Sequence, residues 1–378
     1  MTRHTAKHAV MARTHSPGAT ESKMDKIGIQ VEVALRRACA LALVTGTMGL
    51  LALVGSAAGA ADAPPATPDF SNVEIVPWHV QGNVWLLAGE TSNVAVQVGD
   101  EGVLVVDTGL RPLAEKLLVQ VKKLAGDKPI RFVIDTHMHP DHTGGNEVIR
   151  KAGFTILAGN VANDDIRGQQ GATVLGNENI QLHMAEQGAN GQPAVPQALW
   201  PTETHTEDLY NMYFNDEAVQ LYHPHDAHTD GDTFVLFRRS DVIVTGDLFV
   251  TTSFPIIDVA HGGTINGEIA ALNQLIDLTV PADKQENGTL LIPGHGRLCD
   301  QADLVEFRDM TTIIRDRVQD LIDKGKTLEQ VKAAKPAADY DGRFGGPPGL
   351  WTADRFVEAI YKTLKPTAKT RTKAKASG

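Results

Sequence analysis

The stretch Thr136-His137-Met138-His139-Pro140-Asp141-His142-Thr143-Gly144-Gly145 decides the fold of this 378-residue chain. It holds three imidazoles and one carboxylate within six residues, and zinc and similar divalent metals prefer such ligands. The preceding residues 130–135 are mostly apolar and predict a buried strand. Open α/β sheets form their sites at the carboxyl ends of strands, so the pattern predicts a metal site on the loop that leaves this strand. A histidine-rich surface loop is the alternative, and candidate ligands further along the chain argue against it.

Four more segments, taken together with this one, resemble the metallo-β-lactamase superfamily. All five occur in the order that the family shows, and they span about residues 73–310 of the chain. The five segments are residues 103–109, which end in Asp-Thr-Gly, residues 136–145 with the H-x-H-x-D-H pattern, residues 227–233, residues 242–249 and residues 291–296.

The order of the predicted elements gives the fold class. Short β-branched segments between Gly, Asn and Asp residues predict an antiparallel meander over 73–107, and apolar residues at helical spacing predict a helix over 112–125. Later strands are predicted at 155–158, 234–238, 241–245 and 289–292, with helices at 146–152, 266–280, 302–324 and 352–364. The pattern alone predicts α/β or α+β. The resemblance implies a four-layer αββα sandwich.

The resemblance also implies two metal sites in each chain. The first zinc would be held by His137, His139 and His228, and the second by Asp141, His142 and His295. Asp247 would bridge the two ions, which would share a hydroxide of near-neutral pKa. Asp247 stands where β-lactamases of the family that use a cysteine at the second metal have a thiol, and this departure brings the chain closer to the family's thioester, lactone and phosphate-ester hydrolases.

The implied activity is an exported dizinc hydrolase that opens an amide or ester bond of a small-molecule substrate, with a β-lactam-type bond as the best single expectation. Asp141 would orient the hydroxide and accept its proton, as the catalytic residue. A side-chain nucleophile is not required, and the sequence has no Gly-x-Ser-x-Gly elbow. The alternatives are a lactonase or thioester hydrolase of the same fold, an iron-dependent oxidoreductase of the superfamily, and a non-catalytic binding module.

The N-terminal 60 residues predict a signal peptide. Residues 38–61 carry no charge, follow Arg36 and Arg37, and end in the small residues Ala58-Gly59-Ala60. A retained membrane anchor is the alternative, and translation could start at Met24 instead of Met1. The predicted organisation is a signal peptide at 1–60, a linker at 61–70, a hydrolase domain at 71–364 and a disordered basic tail at 365–378. This organisation predicts a periplasmic or secreted protein that meets the membrane only through its signal peptide.

The charge distribution bears on the partners. The whole chain has a formal net charge of −11, although its N-terminal 60 residues and its tail both carry a net positive charge. The folded body is therefore strongly acidic and would repel phosphate backbones, which argues against a nucleic-acid partner. The sequence leaves the oligomeric state open.

Several other polar residues have two interpretations. His223 and His225 lie off the motif and are expected at the surface or behind a ligand, and Cys299 is expected as a buried thiol, not a metal ligand. Asp107 is expected to accept hydrogen bonds from backbone amides or from a ligand histidine. Asp230 and Asp232 could orient His228 or stabilise their own loop. Residues 160–214 are rich in Gly and Pro and predict an irregular lid over the metals, with a disordered loop as the alternative.

Overall fold

In the computed structural model, residues 69–89, 91–154, 171–188, 191–346 and 351–365 are described, and they form two β-sheets with helices. The first sheet consists of β1 (Val76–Gln81), β2 (Val84–Ala88), β3 (Val94–Gly99), β4 (Gly102–Val106), β5 (Ile130–Ile134), β6 (Thr173–Asn177) and β7 (Glu203–His205). Its strands lie in chain order. Strands β1 to β4 are antiparallel, and β4 to β7 are parallel.

The second sheet has five strands. They are β8 (Leu209–Phe214), β9 (Glu217–Tyr222), β10 (Phe234–Phe237), β11 (Val242–Val250) and β12 (Leu290–His295). The order across the sheet is β12-β11-β10-β9-β8, and only the β11–β12 pair is parallel. The carboxyl ends of β11 and β12 therefore lie side by side at the same end of this sheet.

The helices of the described residues vary from one turn to more than six turns. They are α1 (Ala114–Ala125), α2 (Pro140–Thr143), α3 (Asn146–Lys151), α4 (Glu178–Met184), α5 (Ile265–Leu278), α6 (Gln301–Asp323), α7 (Leu328–Ala333), α8 (Asp341–Phe344) and α9 (Ala353–Leu364). Short 3-10 helices lie at Arg111–Leu113, Gln197–Leu199, Val259–His261 and Ala338–Tyr340. Helix α6 begins with a capping box, in which the side chains of Asp300 and Asp303 satisfy backbone amides of the first turn.

Three apolar clusters divide the molecule into four layers. Strand side chains alternate between the two faces of a sheet, so in β4 Leu104 faces the second sheet while Val105 faces helix α1. The central cluster joins Leu104 to side chains such as Phe237 of the opposite sheet. On the far side, Leu291 packs with residues of α5, α6 and α9, among them Phe307. These clusters give the order helix, sheet, sheet, helix, and the predicted αββα sandwich is confirmed.

The remaining element predictions had different outcomes. The predicted strands and helices outside 155–214 are present, with ends displaced by at most five residues. The prediction of an irregular lid over residues 160–214 is wrong for the described part of that segment, which contributes β6, α4, β7 and β8. The Gly and Pro residues there separate short elements, and the apolar residues of β6 join the core.

Part of the predicted organisation lies outside the described residues. This holds for the signal peptide at 1–60, most of the linker at 61–70, the strand at 155–158 and all but the first residue of the tail at 365–378. The proposed domain boundaries stay predictions. Among the described helices, none combines the length and the apolar character that a membrane crossing requires.

Candidate metal centre

The seven predicted ligand residues come together at one end of the sandwich, where strands of both sheets end. His137, His139, Asp141 and His142 follow β5 on a loop and the one-turn helix α2. The loop between β9 and β10, strand β11 and the end of β12 supply the rest, which are His228, Asp247 and His295. The structure divides the seven into two groups whose candidate ligand atoms lie within 4.8 Å of one another.

The first group consists of His137, His139, His228 and Asp247. Nδ1 of His139 lies 3.0 Å from Nε2 of His228. Nε2 of His137 and Nε2 of His228 each lie 4.0 Å from Oδ2 of Asp247. Two ligands of a tetrahedral zinc at about 2.0–2.1 Å from the ion are roughly 3.3 Å apart, so the side chains are spaced closely enough to share one ion.

The second group consists of Asp141, His142 and His295, and Asp247 borders it. Nε2 of His295 lies 3.2 Å from Oδ2 of Asp141, and Nε2 of His142 lies 3.7 Å from the same oxygen. Oδ1 of Asp247 is 3.2 Å from Nε2 of His142 and 3.3 Å from Nε2 of His295. The two oxygens of Asp247 thus face different groups, which is the arrangement that a bridging carboxylate requires.

Asp247 reaches this position because the backbone of β12 comes close to it. A Cβ atom at Gly294 would overlap Oδ1 of Asp247, so the strand needs glycine there. The amide of Asn93 donates hydrogen bonds to the carbonyls of Pro293 and Gly296, at 2.8 and 3.0 Å. Asn93 therefore fixes the strand end that carries His295.

The nitrogen and oxygen atoms that face the centre of the site are arranged as ligands of a metal ion and not as hydrogen-bond partners of one another. Nε2 of His137, Nε2 of His142 and Oδ1 of Asp247 are buried and form no hydrogen bond within the described part of the chain. The ring nitrogens of His139 and His228 that face each other both carry lone pairs when their other nitrogens donate, as the contacts below indicate. Two lone pairs 3.0 Å apart repel, and either a proton on His139 or a metal ion between the rings removes the repulsion.

The outer nitrogens of the imidazoles have defined partners. Nδ1 of His142 donates to Oδ2 of Asp107 at 2.7 Å, and Nε2 of His139 donates to Oδ2 of Asp258 at 3.0 Å. Nδ1 of His228 donates to the carbonyl of Ile256 at 2.6 Å. Such partners fix the tautomer and the orientation of metal-binding imidazoles. Each ring therefore turns its free nitrogen toward the centre.

Asp107 fulfils both of its expected roles. Its carboxylate accepts hydrogen bonds from the amide and the hydroxyl of Thr136, both at 2.8 Å, as well as from His142. The residue has a φ of 63°, in the left-handed region that Asp tolerates better than bulky residues do. The turn after β4 thereby holds the loop after β5.

The pKa shifts differ among the imidazoles: they favour the neutral forms of His137 and His228, whereas burial is outweighed at His139 and His142 by facing carboxylates, which raise the pKa of both. Burial, together with the neighbouring His139, lowers the pKa of His228 to about 4, and burial lowers the pKa of His137 well below its usual value. Burial disfavours the charged form of Asp141, but the imidazoles of His142 and His295 outweigh it and hold the pKa of Asp141 below its usual range. The neutral forms of His137 and His228 and the ionised form of Asp141 are the states that metal binding needs, and an ion would displace the proton that His139 and His142 otherwise retain.

The remaining candidate side chains lie away from the two groups. His223 is buried and its Nδ1 donates to the carbonyl of Asp232, while His225 is exposed and pairs with Asp208 at 3.0 Å. The carboxylate of Asp232 accepts hydrogen bonds from Thr229, so it stabilises its own loop. Cys299 is a buried free thiol, as expected.

Sequence reasoning missed Asp258, because it is an isolated acid on a loop with no motif around it. It also assigned no role to His183, His205 and His261. The carboxylate of Asp230 accepts a hydrogen bond from His183 at 2.7 Å.

The comparison with protein families decides the relationship. A model of the metallo-beta-lactamase superfamily matches residues 80–295, which is more than half of the chain. The chain belongs to the metallo-beta-lactamase superfamily. The resemblance inferred from the five sequence segments is thereby confirmed.

The relatives that match the chain include an alkylsulfatase and a β-lactamase. The linear primary-alkylsulfatase of Pseudomonas sp. (strain ATCC 19151) is 22% identical over 271 residues, which cover 64% of this chain and 50% of that protein. The metallo-beta-lactamase type 2 of Bacillus cereus is 20% identical over 236 residues, which cover 60% of this chain and 79% of that protein. Both names support a hydrolase of this superfamily.

A solved structure confirms the fold. The stereoselective inverting sec-alkylsulfatase Pisa1 from Pseudomonas sp. matches with a TM-score of 0.52 at 16% identity, over 80% of this chain and 54% of that one. The chain spans about half the length of the alkylsulfatases that it matches.

Proposed function

We propose that the chain is an exported dizinc hydrolase that opens an amide or ester bond of a small molecule. One observation carries this proposal: the two oxygens of Asp247 face two separate groups of imidazole and carboxylate ligands. His137, His139 and His228 would hold the first ion, and Asp141, His142 and His295 the second. Imidazole and carboxylate without thiolate are compatible with zinc, and also with iron.

Bound zinc supplies a water molecule of near-neutral pKa and polarises the bond under attack. The protein's own residues orient this water molecule and accept its proton. The side chain of Asp141 is 20% exposed, whereas those of His142, His295 and Asp247 are at most 6% exposed. Asp141 therefore faces the entrance of the site, where its carboxylate orients the water and accepts its proton.

A β-lactam-type amide is the first substrate class that we propose. The 236 matched residues cover 79% of the length of the Bacillus cereus β-lactamase, which is most of that enzyme. Asp247 sets a limit on this argument, because it supplies an oxygen ligand in place of the thiolate that β-lactamases with a cysteine at the second metal have.

An alkyl sulfate ester is the second candidate. It is favoured by the longer match, over 271 residues, to the linear primary-alkylsulfatase. Only half of the length of that enzyme is covered, so the other half has no counterpart in the alignment. The β-lactam candidate consequently precedes the sulfate ester.

The test is a metal analysis and a hydrolysis panel on the purified protein. We expect about two zinc ions per chain at the two ligand groups and turnover of a chromogenic cephalosporin, with a γ-lactone, a thioester and a primary alkyl sulfate as the competing substrates. Asp247→Ala is the inactive control, and exposed His225→Ala is the matched active control. One iron ion per chain together with oxidation of a thiol substrate would contradict the hydrolase proposal and support the oxidoreductase alternative.

Export has its own test. N-terminal sequencing of the protein from the periplasmic or culture fraction is expected to show a start near Ala61, after the charge-free residues 38–61. A protein that still begins at Met1 or Met24 would contradict the signal peptide.

A further inference from the structure

A second cluster of metal-binding side chains lies next to the proposed dinuclear centre. His183, Glu186 and His261 each offer a ligand atom, and these atoms lie within 4.8 Å of one another. His183 belongs to α4, Glu186 follows that helix, and His261 ends the 3-10 helix Val259–His261. The rings of His183 and His261 meet edge to face with centroids 4.9 Å apart.

Each of the two imidazoles has a carboxylate from outside the cluster as the partner of one nitrogen. Nε2 of His183 donates to Oδ1 of Asp230 at 2.7 Å, and Nδ1 of His261 donates to Oδ2 of Asp258 at 2.6 Å. This leaves Nδ1 of His183, which is 2.8 Å from Oε1 of Glu186, and Nε2 of His261 as the inner nitrogens. A carboxylate behind each imidazole is the arrangement that orients histidines toward a metal.

The backbone around the cluster is fixed by hydrogen bonds between its three segments. The amide of Asp230 donates to the carbonyl of His261 at 2.9 Å, and the side chain of Asn179 donates to the carbonyl of Asp230 at 2.7 Å. A Cβ atom at Gly262 would overlap the side chain of Asp230. The imidazoles are thus positioned by the fold, and only Glu186, with a side chain 57% exposed, has to move to fit an ion.

We propose that His183, Glu186 and His261 bind a third divalent transition-metal ion, of the class of Zn²⁺, beside the dinuclear centre. Two imidazoles and one carboxylate leave the fourth position of a tetrahedral ion for water. Glu186, Asp230 and Asp258 surround the cluster with three carboxylates, which attract a cation. The site is linked to the dinuclear centre, because Oδ2 of Asp258 contacts both His261 and His139.

The test compares zinc content and zinc affinity in the full-length protein. Wild-type protein, Glu186→Gln and His183→Ala are dialysed against a series of Zn²⁺ concentrations and analysed for bound metal. We expect both variants to bind one ion fewer than wild-type protein in the range where the third site fills, with the affinity of that site lowered at least about tenfold. Glu178→Gln is the matched control, because it removes an exposed charge from the same helix without touching the cluster.

The result does not depend on the dinuclear centre. In a His142→Ala background the total zinc content falls, but the difference of one ion between protein that retains Glu186 and protein that carries Glu186→Gln is expected to persist. Equal zinc content and affinity in wild-type protein, Glu186→Gln and His183→Ala would overturn the third site and show that the cluster is a set of ion pairs. If protein with an intact His142 lacks a second ion at the dinuclear centre but still shows the one-ion difference caused by Glu186→Gln, only the dizinc proposal is overturned.

Discussion

Asp107→Asn is expected to weaken the second metal site while leaving the fold intact. In the native protein Oδ2 of Asp107 accepts from both His142 and the hydroxyl of Thr136, and Oδ1 accepts from the amide of Thr136. Asparagine has one acceptor oxygen and one NH₂ group, which can only donate. The oxygen must stay opposite the amide of Thr136, because that backbone donor cannot turn away.

The NH₂ group then replaces Oδ2 and faces two former donors. The hydroxyl of Thr136 can rotate and accept, but Nδ1–H of His142 is left without an acceptor. Loss of such a partner behind a metal ligand costs about 10- to 100-fold in metal affinity, or about 1.4–2.8 kcal/mol. His142 belongs only to the second group of ligands, so the first ion should be affected much less.

Stepwise competition with a chelator measures this difference. We expect one of the two ions to leave Asp107→Asn at a 10- to 100-fold lower chelator strength, with circular dichroism unchanged. The control is Asp283→Asn, which removes a carboxylate that is 71% exposed and far from any ligand histidine in sequence. If Asp107→Asn retains both ions with wild-type affinity, Asp107 does not orient His142 for metal binding.

Three further variants test other parts of the site. Asp247→Ala should lose more activity and more metal than His225→Ala, since it removes a carboxylate whose two oxygens face both ligand groups; near-normal turnover with two ions would contradict bridging. Asp141→Asn should lower kcat by at least about a hundredfold, the usual range for a lost general base, while circular dichroism stays unchanged; wild-type kcat would remove Asp141 from the mechanism. Burial, with Asp232 and Asp247 nearby, raises the pKa of Glu268 well above its usual value, so folding favours its protonated form and stability falls as pH rises above the unfolded pKa of about 4.3. The melting temperature of Glu268→Gln minus that of wild-type protein should therefore be larger at pH 8 than at pH 5. An equal difference at both pH values would refute the raised pKa of Glu268.

The seven candidate ligand residues could be predicted because each lies in a short motif. The spacing within residues 136–142 places four of them on one loop, and the motifs around His228, Asp247 and His295 supply the rest. The structure brings all seven together, although their role in metal binding remains a proposal. The residues behind the ligands could be predicted only where they adjoin a motif, as Asp107 does.

Asp258 shows why the other supporting residues could not be found. It is separated from His139 by 119 positions, and nothing in its neighbourhood marks an isolated acid as a histidine partner. The same holds for His183 and His261, which meet only because α4 and the loop after β11 lie side by side. The segment 160–214 was misjudged for a related reason. Gly and Pro mark turns, but the sequence does not show that the short runs between them pair with strands elsewhere.

The origin of the ligands couples the proposed metal centre to the packing of the two sheets. Within each ligand group, some residues follow β5 of the first sheet and others come from the second sheet: His137 and His139 meet His228, and Asp141 and His142 meet His295. An ion in either group would therefore join the two sheets at the end where the apolar core between them stops. Because an ion that binds only the native state stabilises it by mass action, the same side chains that serve the reaction would also hold the sandwich closed at the site. This gives a physical reason why both groups draw on both sheets, since ligands from a single loop could hold an ion without fixing the cleft around it.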